Sequence, residues 1–212
     1  MDEQIAGLIR ILQHNNISAF YVRDSDEALR TVLAVIPEGA VVGYGDSLTL
    51  QQIGLVEALE NGPYTFLNPW KEGNSIEDNI RLKRQSLTAD VFVTGSNAIT
   101  LDGKIVNVDG HGNRVAAMLF GPEKVIIVVG INKVVENLEA ALARIREVAA
   151  PRNVQRHAHF APAPPCGATG VCSDCSSPWR ICNKLVIIER EFNNDRYRPR
   201  ITVVIVGKEL GL

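Results

Sequence analysis

The sequence lacks the features that would suit it to a membrane, to secretion or to nucleic acid. No apolar run approaches the ~20 residues that span a bilayer. The opening residues, MDEQIAGLIRILQHNN, place acids before apolar residues and contain no long apolar stretch of the signal-peptide kind. Positive charge is not in excess, since 22 Lys and Arg face 24 Asp and Glu, whereas nucleic-acid surfaces are usually strongly basic. We therefore expect a cytoplasmic protein that binds small molecules or other proteins, with a homo-oligomer as one possibility.

Cysteine is absent from most of the chain and then clustered, which is not the distribution of a disulfide-stapled secreted protein. Cys166, Cys172, Cys175 and Cys182 follow the spacing C-x5-C-x2-C-x6-C in a proline-rich loop. Zinc ribbons usually carry two CxxC pairs and this loop carries one, while iron–sulfur clusters tolerate irregular spacing. We expect an iron–sulfur cluster, with zinc as the alternative and metal-free or disulfide-paired cysteines as the third possibility.

Two histidines precede this loop and offer alternative metal ligands. They are His157 and His159, although histidines in such loops are more often surface residues. Zinc would act as a structural staple, whereas a cluster would suggest electron transfer or the sensing of oxygen or redox state.

The remaining composition is that of a folded domain, with 46% hydrophobic and 22% charged residues. Hydrophobic periodicity predicts helices at 4–14, 25–36, about 50–60, 76–87, about 115–120 and about 134–148. Apolar and β-branched runs predict strands at 17–22, 40–44, 64–68, 90–95, 104–108, 124–130, 184–191 and 200–210. Alternating strands and helices indicate an α/β fold with a mainly parallel sheet and helices on both faces.

The periodicity stops at Pro151 and returns near Lys184. We therefore divide the chain into an α/β core at 1–150, a Pro/Cys-rich loop or lobe at 151–183, and C-terminal strands at 184–212 that belong to the core.

A first candidate binding turn lies in VVGYGDSLTL, where a buried strand runs into Gly43, Gly45, Asp46 and Ser47. Glycines allow a close backbone approach, and a following helix N-terminus attracts anions. A plain turn is the alternative, because Asp46 would repel an anion and Asp46 or Ser47 can simply cap the helix. If an anion is held here, we expect backbone N–H groups around Gly45 and Ser47 to hold it, with Asp46 turned away.

A second polar turn follows the strand DVFVTG, in SNAITLDGKIVNVDGHGNR. Open α/β sheets bind ligands beyond the carboxyl ends of their strands. Several candidate residues have charged side chains that could hold an anion or move protons. The full set of candidates is Gly95, Ser96, Asn97, Lys104, Asp109, His111 and Arg114. Singly, each has a structural explanation, such as a hairpin turn at Asp102–Gly103; as a set they indicate a ligand site.

The stretch ADVFVTGSNAITLDGKIVNVDGHGNRVAAMLFGPEKVIIVVGINKVV resembles the lactate-utilization (LUD) domain family, which includes lactate-utilization protein C. VVGYGDSLTLQQIGL falls at that family's first Gly-rich turn, and PCGATGVCSDCSSPWRICN resembles the cysteine motif of a subgroup. The resemblance implies a subunit linked to an iron–sulfur complex that oxidises L-lactate. It also implies a fold similar to ribose-5-phosphate isomerase, glucosamine-6-phosphate deaminase, the CoA transferases and 5-formyltetrahydrofolate cyclo-ligase.

Proteins of that wider fold commonly place a catalytic acid in a GAD triplet after the strand, where this sequence has Gly95-Ser96-Asn97. An amide cannot accept a proton as a carboxylate does, which disfavours sugar-phosphate isomerisation by that route. The leading hypothesis is a lactate-type utilization subunit that binds a small anionic metabolite and iron–sulfur protein partners. The alternatives are a transferase, isomerase or ligase-like enzyme on a phosphorylated or CoA-linked substrate, using His111, Asp109 or Lys104, and a non-catalytic ligand sensor.

Overall fold

The strands form two β-sheets in the computed structural model, which describes residues 2–157, 162–192 and 199–212. They are β1 Ser18–Val22, β2 Val41–Tyr44, β3 Thr65–Leu67, β4 Val91–Thr94, β5 Ala98–Thr100, β6 Ile105–Asp109, β7 Lys124–Gly130, β8 Val134–Val135, β9 Lys184–Ile188 and β10 Ile201–Val206.

The main sheet has six strands in the order β1-β10-β7-β4-β2-β3, and all its neighbours run parallel. β7, the most β-branched stretch, lies near the centre of this sheet and is buried on both faces. β10 lies between β1 and β7, so the last strand of the chain occupies an interior position in the main sheet. The division of the chain into a core and a lobe stays a prediction.

The helices are α1 Glu3–His14, α2 Ser25–Leu33, α3 Leu48–Gln52, α4 Leu55–Asn61, α5 Ile76–Gln85, α6 Asn113–Leu119, α7 Leu138–Arg144, α8 Ala150–Arg156 and α9 Pro165–Thr169. A π-helical turn, Ile145–Ala149, joins α7 to α8. Side-chain caps begin two of them: Asp24 accepts from the Glu27 N–H, and Ser75 forms a capping box with Asp78.

Helices cover both faces of the main sheet. Alternate residues of β7 and β10 point to opposite faces, where two apolar clusters form. One face packs against α1, α6 and the second sheet, and the other against α2, α3 and α4. The predicted α/β class with helices on both faces is confirmed. In the described ranges, no helix combines the length and apolar character needed to cross a bilayer.

The second sheet is smaller, and the sequence did not predict it as a unit. Its order is β8-β5-β6-β9; β5 and β6 form an antiparallel hairpin that turns at Asp102–Gly103, as predicted, and Gly103 has a positive φ of 87°. α7 and the π-helical turn pack on one face of this sheet through Ala141 and Ile145. The hairpin therefore lies between α7 and the main sheet.

Three predicted helix boundaries are wrong. The helix expected over about 50–60 is two short helices, because Gly54 adopts a left-handed conformation with φ of 76° between them. The helix expected from Val134 starts only at Leu138, since Val134 and Val135 pair with β5 instead. Helical structure also continues past Pro151 to Arg156, and a π-helical turn at Ile145–Ala149 directly precedes the helix that contains this proline.

Candidate functional site

The two predicted turns lie side by side at the carboxyl edge of the main sheet. They follow β2 and β4, which are paired neighbours. A Cβ built on Gly95 would lie 2.7 Å from Ser47 Oγ, and one on Gly45 would lie 2.6 Å from Thr94 Oγ1. Glycine at 45 and 95 thus lets the two turns pack against each other.

The backbone donors predicted to hold an anion in the first turn already have hydrogen-bond partners within the protein. The Gly45 N–H donates to the Val93 carbonyl at 3.0 Å, and the Ser47 N–H donates to Tyr44 Oη at 3.1 Å. Ser47 is the N-cap of α3, accepting from the Leu50 N–H. Gly43 lies inside β2, where a Cβ would lie 2.8 Å from Ser86 Cβ. These groups build the turn itself, and a binding role for the turn stays a prediction.

Asp46 turns toward α8 and is held there by two side chains. Its Oδ2 lies 2.6 Å from Arg156 Nη2 and 3.0 Å from His157 Nε2, and the side chain is 14% exposed. Burial raises the pKa of Asp46, but the hydrogen bond with His157 and the charge of Arg156 outweigh it, so the pKa lies below its usual value. Asp46 also has a left-handed φ of 44°. The carboxylate that would repel an anion is therefore neutralised by α8.

The second turn is built around a pair of asparagines that bridge β5 and β6. Asn107 Oδ1 accepts from the Asn97 N–H at 3.2 Å, and Asn97 Oδ1 accepts from the Val108 N–H at 2.8 Å. Arg114 donates to Asn107 Oδ1 at 2.7 Å and to the Val108 carbonyl at 2.8 Å. Asn107 is fully buried, and within the described ranges its Nδ2 has no hydrogen-bond partner. A spare buried donor therefore lies beside the second turn.

The other predicted residues of this segment do not share one position. Asp109 accepts from the Gly112 and Val115 N–H groups at the start of α6, and lies 3.7 Å from Arg114 Nε. His111 is exposed. Lys104 pairs with Asp102 at the hairpin tip, where Gly103 contacts α1.

Ser96 also has partners of its own, since its hydroxyl is buried and donates to the Ala98 and Val106 carbonyls. The structure thus brings Asn97, Asp109 and Arg114 together and leaves Lys104 at the far end of the hairpin. A buried hydrogen-bond network accounts for most of this polar segment.

Sequence reasoning missed Lys133. It ends the turn after β7, its side chain is buried with 5% exposure for the residue, and its Nζ donates to Thr49 Oγ1 at 3.0 Å. Burial, reinforced by Arg144, Arg114 and Arg156, lowers the pKa of Lys133 to about 7. Its position after a central parallel strand is the signal that could have identified it.

The four cysteines come together in the lobe. Cys166, Cys172, Cys175 and Cys182 are unpaired thiols that line one small cavity against the start of α8. Burial raises the pKa of Cys166, and the charges of the other three sulfurs raise it further. The four cysteines that are clustered in the sequence therefore also lie around one cavity in the structure.

Hydrogen bonds within the 166–182 loop bear on how this loop could hold a metal. The Asp174 N–H lies 3.4 Å from Cys172 Sγ, and Arg180 donates to the carbonyls of Cys175 and Cys182. Throughout the described ranges, no three Cys, His, Asp or Glu side chains already stand in a metal-holding arrangement. His157 contacts Asp46, and His159 lies outside the described residues.

These features define an α/β protein whose parallel sheet carries paired polar turns and cationic side chains at its carboxyl edge. A family model described as the LUD domain matches residues 5–206, and the chain belongs to the LUD domain family. No curated protein matches this sequence.

Two solved structures are similar to this chain to different degrees. A DUF162 family protein from Deinococcus radiodurans is similar over 97% of this chain and 97% of that chain, with 13% identity and a TM-score of 0.54. Ribose 5 phosphate isomerase A from Neisseria gonorrhoeae is aligned over 97% of this chain and 94% of that chain, with 14% identity and a TM-score of 0.38. The first likeness shows a shared fold; the second is too weak to support an argument.

Proposed function

We propose that this chain is a cytoplasmic subunit for the utilization of lactate-type organic acids. It binds a small anionic metabolite at the carboxyl edge of the main sheet and carries an iron–sulfur or other metal centre on its four cysteines. Membership of the LUD domain family supports the lactate-type role. The observation that carries the proposal is that all four thiols line one cavity.

An anionic ligand is supported by the charges at the edge of the sheet. Asp46 is neutralised by Arg156, and Lys133 and Asn107 each bring a buried nitrogen donor to this region. A negatively charged ligand would gain from these donors and find the nearest turn carboxylate already paired.

The donor set of the lobe fits a thiolate-bound centre. Cys166, Cys172, Cys175 and Cys182 would hold it, and the repulsion that now raises the pKa of Cys166 would disappear when the sulfurs bind a cation. Since the sulfurs are not yet in a metal-holding arrangement, binding would require the 166–182 loop to tighten. A bound iron–sulfur centre would supply one-electron transfer, and zinc would supply structural support.

The acid–base alternative receives less support from the geometry. A transferase or isomerase mechanism through Asp109, His111 and Lys104 needs these groups around one substrate. Asp109 caps α6, Lys104 pairs with Asp102 at the hairpin tip, and His111 is exposed.

The experiment is anaerobic purification of the full chain, followed by analysis for iron, acid-labile sulfide and zinc. We expect iron and sulfide together in the wild type and their loss in the double variant Cys172→Ser/Cys175→Ser. Ser176→Ala is a matched control in the same loop and should retain the metal. Zinc without iron would remove the redox role, and a metal-free wild type would remove the centre altogether.

A further inference from the structure

Lys133 is a buried cation without an anionic partner in the part of the chain that the structure describes. Its Nζ donates to Thr49 Oγ1 at 3.0 Å. None of the ion pairs formed within residues 2–157, 162–192 and 199–212 includes it. A buried charge is costly unless it is paired, so this position calls for a counter-ion.

The charged groups that act on Lys133 are themselves positive. They are Arg144 from α7, Arg114 from α6 and Arg156 from α8. Arg114 and Arg156 have carboxylates of their own, Asp109 and Asp46. Arg144 instead donates to the backbone oxygens of Asn97, Asn132 and Leu212, and none of the side-chain carboxylates in the described ranges pairs with it. Positive charge is therefore in surplus on this side of the sheet.

The backbone of Gly211 lies close to the Lys133 amine. Gly211 lies over it with a left-handed φ of 71°, and a Cβ at this position would come within 2.7 Å of Lys133 Nζ. The Gly211 N–H donates to Gln52 Oε1 at 2.6 Å, and the Leu210 N–H donates to Asn132 Oδ1 at 3.0 Å. These two hydrogen bonds and the burial of the Leu210 side chain in an apolar cluster hold the 210–211 backbone in place, so a ligand that reaches Lys133 has to displace this segment.

We propose that Lys133 and Thr49 bind the carboxylate group of a small organic acid. This assignment rests on the proposed function, because it names the chemical group by which the small anionic metabolite is recognised. A carboxylate would supply the missing negative charge and accept hydrogen bonds from both the Lys133 ammonium and the Thr49 hydroxyl. A phosphate dianion fits less well, because it needs more donors than one ammonium and one hydroxyl provide.

The proposal predicts a specific dependence of binding on pH. In the protein without ligand, the pKa of Lys133 is about 7. Binding of a carboxylate would raise this pKa, because an opposite charge favours the protonated amine. Affinity should therefore be constant below pH 7 and fall about tenfold per pH unit above it. Binding at pH 8.5 should take up about one proton per ligand, because the amine is mostly neutral before the ligand arrives.

The test is isothermal titration of the full chain with L-lactate, pyruvate, acetate and inorganic phosphate at pH 6 and pH 8.5. Buffers of different ionisation enthalpy report the proton uptake. Lys133→Gln should weaken carboxylate binding at pH 6 at least tenfold and abolish the proton uptake. Lys124→Gln is the matched control, since Lys124 begins the same strand at its opposite end and donates to the Val35 carbonyl; it should bind like the wild type.

The outcomes separate this inference from the broader proposal. Carboxylate binding that survives Lys133→Gln, or that does not change with pH, overturns the assignment of Lys133 and leaves an anion site elsewhere. Binding of phosphate alone through Lys133 overturns the carboxylate class. Wild-type protein that binds none of the four anions overturns both proposals. Lys133→Met, checked by circular dichroism for native folding, is a second variant that should lose binding in the same way.

Discussion

Replacing Asp46 by Asn should destabilise the protein by disconnecting the first turn from α8. Asn keeps a side chain that tolerates the left-handed backbone at this position, so the change mainly removes the charge. The partners, Asp46 and Arg156, are 14% and 21% exposed. Breaking a buried pair costs about 3–5 kcal/mol and an exposed pair below about 1 kcal/mol, so we expect about 2 kcal/mol. Because folding lowers the pKa of Asp46, the stabilisation is present above the unfolded-state pKa and is lost as pH falls through the folded value.

Urea unfolding followed by tryptophan fluorescence measures this effect, because Trp70 packs edge-on against Tyr44 beside the turn, with ring centroids 5.6 Å apart. Glu27→Gln is the control: it removes the charge from the Arg23 pair, in which Arg23 is 79% exposed, and should leave the free energy of unfolding nearly unchanged. The reasoning fails if Asp46→Asn lies within about 0.5 kcal/mol of the wild type at pH 7. It also fails if a double-mutant cycle with Arg156→Gln shows no coupling.

Three further changes test the surroundings of the turns. Arg114→Met leaves the buried side-chain oxygen of Asn107, Oδ1, without its charged donor. It should lower the free energy of unfolding, measured by urea unfolding, by about 3 kcal/mol. Gly95→Ala forces a Cβ against Ser47 Oγ, at 2.7 Å in the present structure, and should lower the melting temperature through about 1–3 kcal/mol of overpacking. An unchanged melting temperature would show that the turns do not touch. Lys133→Met removes a buried charge and should stabilise the chain by about 2 kcal/mol at pH 6. This gain should shrink from pH 7 to about 10.5, where the amine becomes neutral in both the folded and unfolded states.

The main sheet could be predicted from the sequence because its strands carry strong local signals. β7 and β10 are continuous apolar runs, and each strand of the central region is bounded by turn residues or a capped helix. The second sheet could not be predicted in the same way. β5 and β8 have three and two residues, and β9 reaches β6 from a distant part of the chain, so no local pattern reports their pairing.

The meeting of the two polar turns could be predicted from the sequence, but their side-chain contacts could not. Glycines after β2 and β4 place both turns at one edge of the sheet, because carboxyl ends of parallel strands lie together. The partners of Asp46 are more than 100 positions away in the sequence, which no local rule reveals. The role of Asn97 and Asn107 in bridging β5 and β6 likewise depends on a register that only the folded hairpin sets.

The burial of Lys133 could not be predicted from the sequence for a related reason. A lysine after a strand is ordinarily a solvated surface residue. Here the 208–212 segment lies across the end of β7, with the Ile131 N–H donating to the Lys208 carbonyl, and this crossing buries the amine. The position of Lys133 after β7 could indicate a site residue, but burial of the charge by a segment about 80 residues away is a tertiary effect that no local pattern reports.

The central claim is that the four clustered cysteines of this LUD domain protein hold a redox centre. The most direct measurement is the visible absorption spectrum of anaerobically purified protein before and after reduction with dithionite. If the cysteines hold a redox centre, we expect a broad visible band that bleaches on reduction and is missing from Cys172→Ser/Cys175→Ser. A colourless wild-type protein, with or without bound zinc, would contradict it.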